Sequence, residues 1–206
     1  MNKTLLSLLR NATLAALAAS TLGGCAALVV GGAVGTALVV SDRRTSGVQL
    51  EDQAIELKAA NRIRDAVGDR GHISATSYNR MLLLTGEVAS DADRTAIEQA
   101  VTRIENVRST LNELAVIGSS SLTARSNDAV LTSKVKASYL DAKDLQVNAV
   151  KVVTERATVF LMGRVTEREA TRATDLARGV SGVQKVVRAF EILTEAELAA
   201  LGGTKN

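Results

Sequence analysis

Apolar and polar positions follow the same order twice along the chain, which predicts a duplicated unit. In the first copy Ile55, Ala59 and Ile63 recur at helical spacing, and Leu82 to Val88 forms an apolar run of strand length. The later residues Val107 and Leu111 alternate with polar ones, as in a half-buried strand. The predicted helix, two strands, helix and strand of this copy lie at 52–67, 73–78, 82–88, 92–104 and 107–111.

The second copy repeats this order. Leu131, Val135 and Tyr139 form the core stripe of its first helix, at i, i+4 and i+8. Thr166 and Glu169 stand three residues apart ahead of its second helix and predict a capping box. Ser90 and Asp93 give a similar helix start in the first copy. The predicted elements of the second copy lie at 127–140, 147–154, 159–165, 168–180 and 183–187.

Short turns at 79–80 and 155–157 make each first pair of strands an antiparallel hairpin. A helix then returns the chain for a parallel third strand. We therefore predict an α+β fold of two α-β-β-α-β domains, each a three-stranded mixed sheet packed on two helices. Gly86 and Gly163 occupy equivalent places at the predicted strand ends, where we expect a structural role in a bulge or a close approach.

The N-terminus has the pattern of an export signal. Lys3 and Arg10 flank the start of an apolar run, and Leu22-Gly23-Gly24-Cys25 resembles a bacterial lipobox. We expect cleavage before Cys25 and acylation of this only cysteine. A transmembrane helix is the alternative, because no charge occurs between Arg10 and Asp42. After cleavage, however, about 15 apolar residues remain, fewer than the roughly 20 that a span needs.

Several stretches of the second copy resemble the BON domain, and the whole mature chain resembles the dual BON-domain outer-membrane lipoproteins of Gram-negative bacteria. The resemblance is most specific from Phe160 to Ala170, and it extends to Ser126-Asn127-Asp128, Thr132 to Lys136 and Val180 to Val183. It implies a protein that supports outer-membrane integrity and is linked to the machinery that assembles outer-membrane β-barrels. Because Ala26 rather than Asp follows the cysteine, it also implies sorting to the outer membrane, facing the periplasm.

These patterns together predict six segments along the chain. They are a lipoprotein signal peptide at 1–24, a lipidated apolar tether at 25–46, BON domain 1 at 47–117, a Gly- and Ser-rich linker at 118–125, BON domain 2 at 126–193, and a C-terminal tail at 194–206.

Composition argues against several function classes. Aromatic residues make up 2% of the 206 residues, too few for the stacking platforms of single-stranded nucleic-acid binders. Cleavage before Cys25 would leave 23 Lys and Arg of the original 25 against 22 Asp and Glu, so a nucleic-acid partner is not expected. One His and one Cys exclude a structural zinc site, and we expect no metal, cofactor or small-molecule substrate.

Catalysis is not expected either. His72, the only imidazole, is predicted to be a solvated loop residue, and no carboxylate pair has a setting that suggests a raised pKa. The serines at 119–121 lie in the predicted linker with no evident base. We therefore expect a protein that is not an enzyme.

Charge instead favours a membrane partner. BON domain 1 carries 8 basic and 11 acidic residues, whereas BON domain 2 carries 11 basic and 8 acidic ones. The resemblance implies that the second domain binds anionic phospholipid through its first helix, where a member of the family has Trp in place of Val130. The candidate contact residues, on a face beside the core stripe, are Val130, Lys134, Lys136 and Ala137. The alternative is a protein-interaction scaffold for the outer-membrane assembly machinery, without direct lipid recognition.

Overall fold

The computed structural model describes residues 42–203, and the predicted signal peptide, Cys25 and most of the tether lie outside the described residues. Its elements follow the predicted order in both copies. The first domain consists of α1 (Ser46–Val67), β1 (Gly71–Tyr78), β2 (Met81–Val88), α2 (Asp91–Val101), β3 (Ser109–Asn112) and β4 (Ala115–Val116). The second consists of α3 (Leu122–Asp141), β5 (Val150–Glu155), β6 (Thr158–Thr166), α4 (Glu167–Arg178) and β7 (Lys185–Leu193), and α5 (Glu195–Gly203) follows it.

The sheet topology confirms the predicted α+β fold. Strands β1 and β2 form an antiparallel hairpin, and β3 pairs with β2 in parallel. Strands β5, β6 and β7 repeat this arrangement. In the first domain the third strand is interrupted after Asn112, whose side-chain oxygen accepts a hydrogen bond from Leu114 N at 3.2 Å, and it resumes as β4.

Local capping signals locate the helix starts. Thr166 and Glu169 form the predicted capping box, with each side chain bonded to the backbone of the other residue. Ser90 Oγ accepts a hydrogen bond from Asp93 N at 3.1 Å. Helix α3 begins earlier than predicted, inside the expected linker, because Ser121 Oγ accepts a hydrogen bond from Ala124 N and so caps a first turn there.

Gly86 and Gly163 lie in strands β2 and β6, two and three residues before the ends of these strands. Each faces the backbone of the hairpin partner at very close range. A Cβ at Gly86 would collide with the carbonyl oxygen of His72, and one at Gly163 with that of Ala149. Gly86 also has a φ of 114°, which L-residues rarely adopt.

Each domain buries its own apolar core between its sheet and its two helices. The central strands β2 and β6 are buried on both faces, which accounts for their unbroken apolar runs. Leu82 and Leu84 pack against the helices of the first domain, whereas Leu83 points to the opposite face. There the two sheets meet in a shared cluster formed by Tyr78, Leu83, Phe160, Met162 and Ala189.

Candidate functional site

Helix α3 is held in place from its inner side. Leu131, Val135 and Tyr139 are buried, as the periodicity predicts. The Tyr139 hydroxyl donates a hydrogen bond to the Ala173 carbonyl at 2.9 Å, and burial raises the pKa of this phenol. The helix is therefore tied to α4 and presents a fixed outer face.

A buried aspartate fixes α3 to the neighbouring hairpin. The two carboxylate oxygens of Asp128 accept hydrogen bonds from Arg156 N and Ala157 N, both at 2.8 Å. These two residues form the β5–β6 turn. This role is not among the sequence-based predictions, although the chain carries a signal for it: an acidic residue stands three positions before the first core residue of the helix in both copies.

Asp52 plays the same part in the first domain. Its carboxylate accepts hydrogen bonds from Asn79 N and Arg80 N, both at 2.8 Å, and from Ser77 Oγ at 2.7 Å. Burial alone would raise the pKa of Asp52, but these bonds and one from Arg44 lower it below its usual range.

The outer face of α3 exposes apolar side chains along its length, with Ser126 and Ser133 between them, and we call this set the α3 stripe. Val130 is 52% exposed, and Leu122 and Leu140, near the two ends of the helix, are 78% and 72% exposed. Ala129 and Ala137 are also exposed and fall on the same side at helical spacing. Five apolar residues thus face solvent along the full length of the helix.

Lys134 and Lys136 flank the α3 stripe. Residues two positions apart on a helix point about 200° apart, so the two lysines lie on opposite sides of the stripe. Both are exposed, and neither side chain makes a hydrogen bond or an ion pair within residues 42–203. Asp128 points to the interior, and the other acidic residue of α3, Asp141, is exposed at the C-terminal end of the helix.

The four candidate contact residues are therefore all exposed on α3. The structure adds Leu122 and Leu140, which the sequence analysis did not single out. Leu122 falls in the predicted linker, and Leu140 lies beyond the predicted contact residues, which extend from Val130 to Ala137. Its place three residues after Ala137 was the available signal.

A polar cleft of about 240 Å³ opens between the two domains near the start of α3. His72 lines it from strand β1, so the prediction that this residue lies in a loop is wrong. Burial, reinforced by the nearby charges of Glu87 and Asp128, raises the pKa of Glu155 in this cleft to about 7. The expectation that no carboxylate pair has a setting that suggests a raised pKa is therefore also wrong, because Glu155 lies near Glu87. Within residues 42–203 no group of three or more His, Cys, Asp or Glu side chains is placed to hold a metal ion.

None of the helices between residues 42 and 203 has the length and apolarity that crossing a bilayer requires.

Comparison with known proteins gives consistent matches over this chain. The model of the BON domain matches residues 51–118 and again residues 127–194. The chain is 36% identical over 174 residues to the outer membrane lipoprotein DolP of Haemophilus influenzae, which covers 84% of this chain and 90% of that protein. It is 29% identical over 149 residues to a 21 kDa hemolysin of Actinobacillus pleuropneumoniae, covering 71% of this chain and 77% of the relative.

Among solved structures, CdsD, a structural protein of the type III secretion system of Chlamydia trachomatis, aligns with 71% of this chain and 98% of its own. The identity is 11% and the TM-score 0.29, a likeness too low to bear on function.

Proposed function

This chain belongs to the BON-domain family, as a DolP-like protein with two copies of the domain, and we propose that it is a non-enzymatic, lipid-anchored protein of the outer membrane whose second domain binds anionic phospholipid through α3. In this role it supports the integrity of that membrane from the periplasmic side. Two separate contacts attach it to the bilayer, an acyl anchor at Cys25 and the α3 stripe.

The anchor is supported by the lipobox-like Leu22-Gly23-Gly24-Cys25 and by similarity to a protein named as a lipoprotein. A single acyl chain binds membranes only marginally, whereas several chains anchor a protein stably. We expect mass spectrometry of the mature protein to find a chain that starts at an acylated Cys25. Mature protein that still carries residues 1–24 would contradict this anchor.

The observation that carries the phospholipid proposal is the α3 stripe with an unpaired lysine on each side. Each cation close to an anionic bilayer contributes on the order of 1 kcal/mol to binding. Exposed leucines and a valine between such cations suit shallow insertion at the headgroup level. Leu122 and Leu140 supply apolar surface in addition to Val130, which stands where the resemblance implies Trp in a family member.

Flotation with liposomes tests this contact. Residues 41–206, which form one compact unit containing both cores, allow the test without the acyl anchor. We expect this fragment to float with vesicles that contain anionic phospholipid and not with purely zwitterionic ones. Changing Lys134 and Lys136 to Glu should abolish most of this binding, and the effect of the charges should weaken in high salt.

A matched control reverses the same number of charges elsewhere. Lys58 and Arg62 are exposed on α1 of the first domain, and their change to Glu should leave flotation nearly unchanged. If both double variants lose binding equally, binding to the vesicles depends on the net charge of the fragment and not on α3. If the folded Lys134→Glu/Lys136→Glu variant floats as the parent does, α3 is not the contact, and a scaffold for outer-membrane assembly machinery becomes the better proposal.

A further inference from the structure

The four residues that precede α1 lie at the junction between the two domains. Arg43 reaches the second domain, where its guanidinium forms a bidentate pair with Glu169, both N–O distances being 2.7 Å. Its Nη1 also donates to the Arg164 carbonyl oxygen at 2.8 Å. The side chains of Arg43 and Glu169 are only 7% and 5% exposed, so this pair is shielded from solvent.

The next residue, Arg44, binds the first domain. Its Nη1 donates to Asp52 Oδ2 at 2.8 Å, and its guanidinium lies 4.1 Å from the centroid of the Tyr78 ring. Asp42 forms an ion pair with the same guanidinium, and Arg44 Nη2 lies 2.7 Å from Asp42 Oδ2. Consecutive arginines therefore bind different domains, and the backbone between them bridges the junction.

The carboxylates of Glu169 and Asp52, which pair with these arginines, also stabilise the local structure around them. Glu169 Oε2 accepts a hydrogen bond from Thr166 N at 3.0 Å and so caps α4. Asp52 holds the turn at Asn79 and Arg80 against α1. Burial would raise the pKa of Glu169, but the hydrogen bonds from Arg43 and Thr166 lower it, which keeps the carboxylate ionised.

We infer that Arg43 and Arg44 act as a clasp by which the segment leading from the N-terminus holds the two domains in one orientation. The shared apolar cluster already joins the two sheets, and the clasp adds a directional contact between the domains. It is directional because a bidentate guanidinium–carboxylate pair fixes both angle and distance. It also places the chain's entry into the folded domains at the domain junction. Where the N-terminus is anchored, which rests on the proposed function, the clasp sets how α3 is presented to the membrane.

A distance measurement between the domains tests the clasp. Asn61 on α1 and Ser133 on α3 are exposed and can be changed to Cys for spin labels, in the full chain held in detergent micelles. Cys25 is the only native cysteine, and a chain without the added cysteines shows whether it takes up label. Double electron–electron resonance then gives the distribution of distances between α1 and α3.

We expect one narrow distribution in the parent chain. The Arg43→Ala/Arg44→Ala variant should give a broadened distribution that extends to longer distances. Arg62→Ala/Arg64→Ala serves as the control, since it removes two exposed arginines whose side chains make no contact of this kind within residues 42–203. A clasp variant that keeps the narrow parental distribution overturns the inference.

Two further variants keep the test decisive. If the double alanine variant fails to fold, Glu169→Gln removes the charge while retaining a side chain that can cap α4, and it should broaden the distribution in the same way. Arg43→Lys keeps the charge but loses the bidentate geometry and should give an intermediate width. Because none of these measurements needs lipid binding, a chain that ignores anionic vesicles would contradict the proposed function and leave the clasp standing.

Discussion

At the scale of single residues, the two hairpin turns are unusual because neither contains glycine. Asn79 and Arg80 have φ values of 49° and 67°, and Arg156 and Ala157 have values of 51° and 56°. Left-handed backbone costs an L-residue roughly 1–2 kcal/mol. Hydrogen bonds to a charged group are worth about 1.5–3 kcal/mol. The buried carboxylates of Asp52 and Asp128, which accept both turn N–H groups, therefore offset this strain.

Gly163 gives a test at the same scale. Gly163→Val should lower the free energy of unfolding by about 1–3 kcal/mol, because the new side chain meets the Ala149 carbonyl just before β5. Urea unfolding measures the change. Gly118 provides the control, since a Cβ there meets nothing within 4 Å, and Gly118→Val should change stability little. An unchanged melting temperature together with lost function would instead indicate that Gly163 contacts a ligand directly.

At the scale of elements, the first helices of the two domains share an inner side and differ on the outer one. Asp52 on α1 and Asp128 on α3 bind their hairpin turns alike, and apolar residues one turn apart face each core. Both outer faces expose apolar side chains: Leu50 and Leu57 on α1 are 68% and 66% exposed, whereas α3 carries the α3 stripe with Lys134 and Lys136 on its two sides. Packing fixes the inner side of both helices, which leaves the outer side free to diverge in function.

Val130, on the exposed face of α3, leads to a prediction for this element. Val130→Trp should strengthen binding of residues 41–206 to anionic vesicles, because an indole partitions favourably to the membrane interface. Folding should be unaffected, since Val130 is 52% exposed. Flotation at increasing lipid concentration measures the gain. Asn61→Trp on α1 is the comparison, and an equal gain there would mean that any exposed indole suffices.

At the scale of the whole molecule, the two sheets face each other, and the edges of this contact are polar. Lys151 Nζ reaches Glu56 of the first domain at 2.9 Å, and Glu191 of the second domain accepts a hydrogen bond from Asn79. Near the start of α3, Glu87 is fully buried, and its Oε2 accepts a hydrogen bond from Ser120 at 3.2 Å. The contact thus brings the carboxylates of Glu87 and Glu155 close enough to interact electrostatically.

This arrangement predicts how stability depends on pH. Glu155 has an ordinary pKa of 4.5 and a pKa of about 7 in the folded chain, so between these values the folded state binds more protons than the unfolded state. Its contribution to stability is therefore present below about pH 4.5 and is lost as the pH rises through 7. Urea unfolding of residues 41–206 across this range measures the slope.

The Glu155→Gln variant should flatten this dependence, because an amide stays neutral throughout. Glu195→Gln, at the exposed start of α5, should leave the slope unchanged. A slope that the Glu155→Gln variant shares with the parent would show that Glu155 does not titrate in this way.

The sequence by itself determined the features that depend on near neighbours. Helical spacing placed Leu131, Val135 and Tyr139 in the core, and the capping box at Thr166 and Glu169 formed as predicted. The duplicated order of elements gave both domains and the α+β fold, and the resemblance gave the family, which the comparisons confirm. These features follow from local periodicity and capping, which act over a few residues and leave a regular pattern in the chain.

Only the tertiary structure decided what depends on residues far apart. Arg43 and Glu169 are 126 positions apart, and nothing near either residue marks the other as its partner. The packing of the two sheets likewise places His72 in an interdomain cleft, and not in the predicted loop. In the same cleft, burial raises the pKa of Glu155. Such contacts depend on which faces the folded chain brings together, because burial and charge act through space and not along the sequence.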